Sequence, residues 1–204
     1  VRDHMATNID DYEIFPAYED VFFKTWDANE SLTAFYGMAD MRMGKMNIIA
    51  GARVENTSIE YNSWNGDIAE IEDAEGTYEE SLELVTKVNS KSDNSLTLPM
   101  VHLRYNVNEK LLVRLAYTES LARPNYGSLV PFVIADDDEA EIGNPDLKPA
   151  HAKNIDMMLE YYAGPLGVLS FGYFSKDIAN YFYEGVFEDY TVLGKEYAEV
   201  VMPA

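Results

Sequence analysis

Three histidines, at positions 4, 102 and 151, are the first residues in this chain that invite a catalytic or metal-binding reading. They form no HExxH helix and no close pair, the spacing that would set two imidazoles around a zinc ion. A lone His102 on a strand face reads as a hydrogen-bonded wall residue. The chain has no cysteine, which excludes thiolate metal sites and disulfides. It has no GxSxG elbow, no Walker loop and no GxGxxG turn, so no nucleophile or phosphate cradle announces itself. The run ADDDEAEIGNPD at 135–146 has the carboxylate density of a calcium loop. An EF-hand needs an oxygen ligand at its fifth position and Gly at its sixth. Counted from Asp136, those positions are Ala140 and Glu141, so the pattern fails. No cofactor, no metal and no enzymatic activity are expected.

The acidity itself is informative. The net charge is −21, and it is unevenly placed. Segments 9–30, 61–86 and 135–147 together hold 21 acids and one base, Lys24; the rest of the chain holds 15 acids and 14 bases. Such runs read as solvated loops. A surface of this sign repels nucleic acid, and no basic patch offsets it, so nucleic acid is excluded as a partner.

The elements that carry the remaining residues are strands. In HAKNIDMMLEYY (151–162), Ile155, Met157, Leu159 and Tyr161 alternate with Asn154, Asp156 and Glu160. A period of two marks a strand with two unlike faces. The same period runs through 46–61, 98–106, 111–120 and 168–183, and more weakly through 32–43. That predicts six strands, at 32–43, 46–61, 98–106, 111–120, 151–163 and 168–183. Tight connections follow the first at Gly44-Lys45, the third at 107–110 and the fifth at AGPLG (163–167), a Gly/Pro turn. The other connections, about 62–96 and 121–150, are long and acidic. Tight turns between consecutive strands imply antiparallel hairpins.

A soluble sandwich also alternates, but its strands usually run about 5–6 residues. Here they are about twice that, and charged groups such as Arg53, Arg114 and Asp156 sit near mid-strand on the polar face. Long strands with short turns on one side and long loops on the other describe an outer-membrane barrel, with lipid on the apolar face and water on the polar one. Tyr105 and Tyr161 near the turns, with Tyr61 and Tyr117 toward the loops, read as aromatic girdles. No run of about 18 apolar residues predicts a transmembrane helix.

The order of several motifs then resembles the barrel of TonB-dependent receptors over about 30–183. They are Ala50-Gly51-Ala52-Arg53-Val54-Glu55, Leu98-Pro99, Arg123-Pro124-Asn125-Tyr126 and Gly143-Asn144-Pro145-Asp146-Leu147-Lys148-Pro149. Asn154, Asp156, Glu160-Tyr161-Tyr162 and Phe174-Ser175-Lys176-Asp177-Ile178 follow. Such receptors resemble plugged barrels of about 22 strands. The resemblance implies an all-β, antiparallel up-and-down transmembrane segment in the bacterial outer membrane, with short periplasmic turns and long extracellular loops. The chain begins with Val and ends VVMPA, and reads as a partial wall lacking the plug and the energy-coupling box. It implies as partners outer-membrane lipid, a TonB complex reached through the missing plug, and a small-molecule or oligosaccharide ligand. Uptake of a ferric siderophore, vitamin or oligosaccharide is the expected function. A secreted or surface all-β binding module, with acidic loops holding cations or glycan, is the rival; a hydrolase barrel is weaker.

Within the motifs, Asn144-Pro145 and Lys148-Pro149 are turn dipeptides, and each Pro holds its predecessor extended. The stretch 144–149 therefore reads as a rigid loop-to-strand junction, with direct ligand contact as the alternative, and Arg123 precedes Pro124 where the chain leaves the fourth strand. Arg123, Pro124, Gly143, Asn144, Pro145, Leu147 and Pro149 are the family-motif residues. Trp64 and Tyr78 are the ligand-binding candidates, as aromatic residues at loop tips.

Overall fold

The computed structural model describes residues 25–67, 85–136, 138–192 and 194–204. Six long strands make the wall. They are β1 (Asp27–Met43), β2 (Met46–Asp67), β3 (Thr86–Asn106), β4 (Leu111–Ala122), β7 (Ala150–Tyr162) and β8 (Val168–Ala179). Each pairs antiparallel with the next in that order. Gly44 makes the first tight turn with φ +58°, a conformation that costs glycine nothing. In the second, the Asn108 side chain accepts from the backbone N–H groups of Lys110 and Leu111 at 2.8 and 2.9 Å. Lys45 donates from Nζ to the Val107 carbonyl at 2.9 Å, which ties the first two turns together.

The chain is all-β, but a purely antiparallel set of six strands is not what it forms. Among the described residues the sheet has ten strands. The additional four are β5 (Val133–Asp136), β6 (Glu139–Ile142), β9 (Glu184–Val192) and β10 (Lys195–Pro203). β5 runs parallel to β2 at Asn65–Asp67, and β6 runs parallel to β10, so the sheet is mixed. The cause is the length of β2. Its pairing with β1 stops at Asn62, and β5 takes the same edge where β1 ends. β5 and β6 are four residues each, too short to display a period. β3 also starts earlier than its alternation does, because residues 86–97 are polar on both faces apart from Val88 and Leu96.

The faces follow from register. On the outward face, Val113, Leu159 and Phe171 stand in one row, and Leu115, Met157 and Tyr173 in the next. Val113 is half-buried and the others are exposed; Phe171 keeps 65% and Leu169 69% of its surface. The rows end in a charged one, Glu119–Lys153–Asp177. Between that row and the tight turns lies a belt of about seven to nine residues per strand, or roughly 25 Å at 3.3 Å per residue. On the inward face stand Asn47, His102, Arg104, Arg114 and Asp156, around a concavity of about 760 Å3. Polar pairs cross this face: Asn47 Nδ2 donates to Asp40 at 3.1 Å and Arg114 to Glu160 at 3.4 Å. Tyr61 is not a girdle residue. It lies on the inward face of β2 and is fully buried, whereas Tyr105, Tyr117 and Tyr161 face outward.

Among the described residues the dry cores lie at the loop end. One joins Ile59 and Tyr61 of β2 to Leu129, Val130 and Leu147. The other joins Ala135, Ala140, Val192, Tyr197 and Val200 within the short strands. The acidic stretch 67–83 falls almost wholly outside the described residues.

The face assignment predicts unequal costs in a complete barrel. Leu159→Arg, placed in the apolar belt, should cost about 2–4 kcal/mol in equilibrium refolding into vesicles, the range for Arg near the midplane. Asp156→Asn on the wet face should cost far less. Equal costs, or the reverse order, would overturn the assignment.

Candidate ligand-binding site at the loop end of the sheet

The connection from β4 to β7 does not stay outside the wall. It leaves Ala122, crosses β3 and packs on the inward face of β2. Pro124, which is buried, holds Arg123 extended. From there the Arg123 guanidinium bonds Glu55 of β2, and the same nitrogen stands 3.4 Å from Thr57 Oγ1. Arg53 bonds the other oxygen of Glu55. One nearly buried carboxylate is therefore shared by two guanidiniums, the charge-assisted geometry in which arginine binds most strongly.

Beyond Pro124 a single helical turn, α1 (Tyr126–Leu129), is capped by Asn125, whose side chain accepts from Ser128 N–H at 2.8 Å. The turn aims Leu129 and Val130 at Ile59 and Tyr61. Ser63 Oγ then donates to the Pro131 carbonyl, and Val133 N–H donates to Asn65 Oδ1, both at 2.9 Å. Tyr126 donates its hydroxyl proton to Glu30 of β1 at 2.7 Å. The clasp thus touches both β1 and β2.

The second motif closes the clasp. Gly143 N–H donates to Phe132 O at 3.0 Å and Asn144 N–H to Ser128 O at 2.9 Å. A Cβ on Gly143 would lie 1.8 Å from the Val130 carbonyl oxygen, so only glycine fits this approach. The Asn144 side chain accepts from Asp146 N–H at 3.0 Å, an Asx turn, and donates to Pro203 O of β10 at 2.9 Å. Pro145 follows in that turn. Leu147 enters the first core, and Pro149 is buried beside the cavity the clasp encloses. The cavity, about 380 Å3, lies between the clasp and the inward faces of β2 and β3.

Burial pushes the Tyr61 hydroxyl up to about 12, with the Glu30 and Tyr126 charges adding to the shift. The hydrogen bond to Glu30 raises Tyr126 as well.

The structure brings all seven motif residues into the clasp. It does not bring Trp64 there. Trp64 lies within β2, on the outward face, opposite Lys87 in the register, with Lys87 Nζ 5.7 Å from its ring centroid. Tyr78 lies outside the described residues. His102 lines the inward concavity, and His151 Nε2 is 2.7 Å from Glu119; His4 lies outside the described residues. Sequence reasoning missed Glu55, Thr57, Tyr61 and Ser63 as the clasp's seat. The signal available was the apolar run Leu129–Ala135 inside an otherwise acidic connection, which has no reason to be apolar unless it is buried.

A family model, the outer membrane protein beta-barrel family, matches residues 7–192. This chain belongs to that family. As an outer-membrane barrel chain it sits in the bacterial outer membrane, and its exposed apolar rows meet lipid there; the family is one of barrels and not of enzymes. Its sheet is similar to that of the Serratia marcescens hemophore receptor HasR, solved as a double mutant with its hemophore HasA and heme. The identity is 13%, the TM-score 0.58, and the match covers 86% of this chain and 29% of HasR. The ferric-catecholate import receptor Fiu of E. coli K12, in its closed form, is 16% identical with a TM-score of 0.53, over 85% of this chain and 24% of Fiu. The copper transporter OprC is 11% identical with a TM-score of 0.57, over 86% of this chain and 25% of OprC. At these identities the likeness is one of fold, and it is the fold that the motif resemblance to TonB-dependent receptors implied. The chain spans less than a third of the length of each of these proteins. No curated protein matches it.

Two outcomes test the clasp. Gly143→Ala should cost about 1–3 kcal/mol, the range for forced overpacking, and should raise protease cleavage between 123 and 149 while the wall remains inserted. Tyr61 gives a pH signature. Its folded value lies above the ordinary value of about 10, so its neutral form stabilises the clasp fully below pH 10. That contribution, at most about 3 kcal/mol for two units, is lost as pH rises from 10 through 12. Protease sensitivity of the clasp should rise over that window, and Tyr61→Phe should flatten the rise.

Proposed function

We propose that the chain forms part of the wall and mouth of a TonB-dependent outer-membrane receptor that imports a scarce nutrient. Ferric chelates, vitamins and oligosaccharides are the ligand classes. The observation that carries this reading is the two-faced wall. Its outward rows are apolar up to the Glu119–Lys153–Asp177 row, while its inward face is a polar, concave surface overhung by the clasp. A secreted module would bury such rows; here they are exposed, at a height that fits a bilayer's apolar belt. The tight turns at 44–45, 107–110 and 163–167 face the periplasm, and the clasp, the short strands and the acidic connection 68–85 face outside. Among the described residues the far edges of β1 and β8 pair with no strand. In lipid those edges take further strands, so the whole barrel is larger than this sheet. The ligand enters from the loop end, and the TonB complex acts through a plug outside this stretch.

Two measurements test it. Deleting the whole gene should abolish accumulation of one labelled ferric chelate, cobalamin or oligosaccharide, and collapsing the proton-motive force should do the same in the intact strain. Unchanged accumulation of all three classes removes the transport reading. For orientation, a protease site inserted between Glu75 and Gly76 should be cut on intact cells with the barrel still assembled. Cleavage only after the periplasm is opened would invert the topology.

A further inference from the structure

The cavity under the clasp is lined by an arginine, Arg123. Among the described residues its lining contains one carboxylate, Glu55, and that carboxylate is shared by Arg53 and Arg123. The lining itself holds one guanidinium, Arg123, and that one carboxylate, with Arg53 binding the carboxylate's other oxygen from outside the lining. The Arg123 fork is also only partly used. Both of its contacts, to Glu55 and to Thr57, run through Nη2, and its Nε and Nη1 make no hydrogen bond among the described residues. Unspent guanidinium donors thus stand at the cavity wall. The rest of the lining is largely apolar, with Leu96 beside Glu55 in the register and Leu129 and Leu147 from the clasp, while Ser92 and Asn94 of β3 form a polar floor. At about 380 Å3 the space falls within the range of small-molecule sites, which are mostly apolar with a few placed polar groups.

We propose that this cavity binds a small organic anion, a carboxylate on an apolar body. The carboxylate takes the free Nε–H and Nη1–H of Arg123, the fork geometry that guanidinium offers to two oxygens. The body lies against Leu96, Leu129 and Leu147. The site would therefore select for charge at one end and for size at the other. This assignment rests on the receptor reading and names the ligand chemistry of its mouth.

The test is calorimetric titration of the full-length receptor in detergent with benzoate and with benzamide, its neutral isostere. Benzoate should bind at least tenfold more tightly than benzamide. Ser92→Trp, which fills the cavity from the β3 side without touching the Arg123–Glu55 pair, should abolish binding of both. Arg123→Gln should weaken benzoate at least tenfold and leave benzamide unchanged. Equal affinity for the two probes in the native receptor overturns the proposal without reference to any variant, as does the absence of benzoate binding. Benzoate affinity unaffected by Ser92→Trp overturns the location. A receptor that imports its nutrient but fails to bind benzoate leaves the transport reading standing and removes this one alone.

Discussion

Every backbone N–H and C=O in the wall has to be satisfied by a neighbouring strand, because hydrocarbon offers no substitute partner. The rest of the structure depends on this constraint. It forces long strands into continuous antiparallel ladders, from β1 through β8 along the wall. It fixes register, since a slip by one residue would turn Leu159 toward water and Asp156 toward lipid. It also relaxes beyond the belt. Past the Glu119–Lys153–Asp177 row water is again available, and there the chain is free to leave the wall, pair in parallel and build small cores of its own.

That change of solvent explains where the protein keeps its packed interior. A soluble domain buries apolar side chains among themselves. This chain leaves Phe171, Leu169 and their neighbours exposed and reserves internal packing for the loop end. The clasp has to be specified by side chains, because no ladder imposes it along most of its length. Hence the density of local devices there: the Asn125 cap, the Asx turn at Asn144, the glycine against Val130 O, and the shared Glu55.

The two regions differ in how well they were legible in the sequence for the same reason. The wall strands show as a period of two wherever their faces meet unlike solvents, as in 46–54 and 151–162. The period fades at 86–97, where both faces are wet, and there only pairing with β2 defines the strand. β5 and β6 are too short for any period and exist because β2 outlasts β1. The motif residues announced a rigid junction through their prolines, and that much follows from local sterics. Its destination does not. Arg123 and Glu55 are 68 residues apart, and no spacing rule pairs them. Tyr61 misled in a particular way: its position near the belt's outer margin suits a girdle, but its parity places it on the inner face.

The clasp begins at the end of β4 and is anchored on β2 and β1, with β3 between. In a curved wall such a link acts as a chord across an arc. The ladders resist sliding of neighbouring strands, but they bend easily, and bending is what would widen or flatten the opening. A chord held by the Arg123–Glu55 pair and the Tyr126–Glu30 bond opposes that bending directly. The cross-section of the mouth is then set by a handful of side chains, and homologous barrels with identical walls could differ in aperture through the length of this one brace.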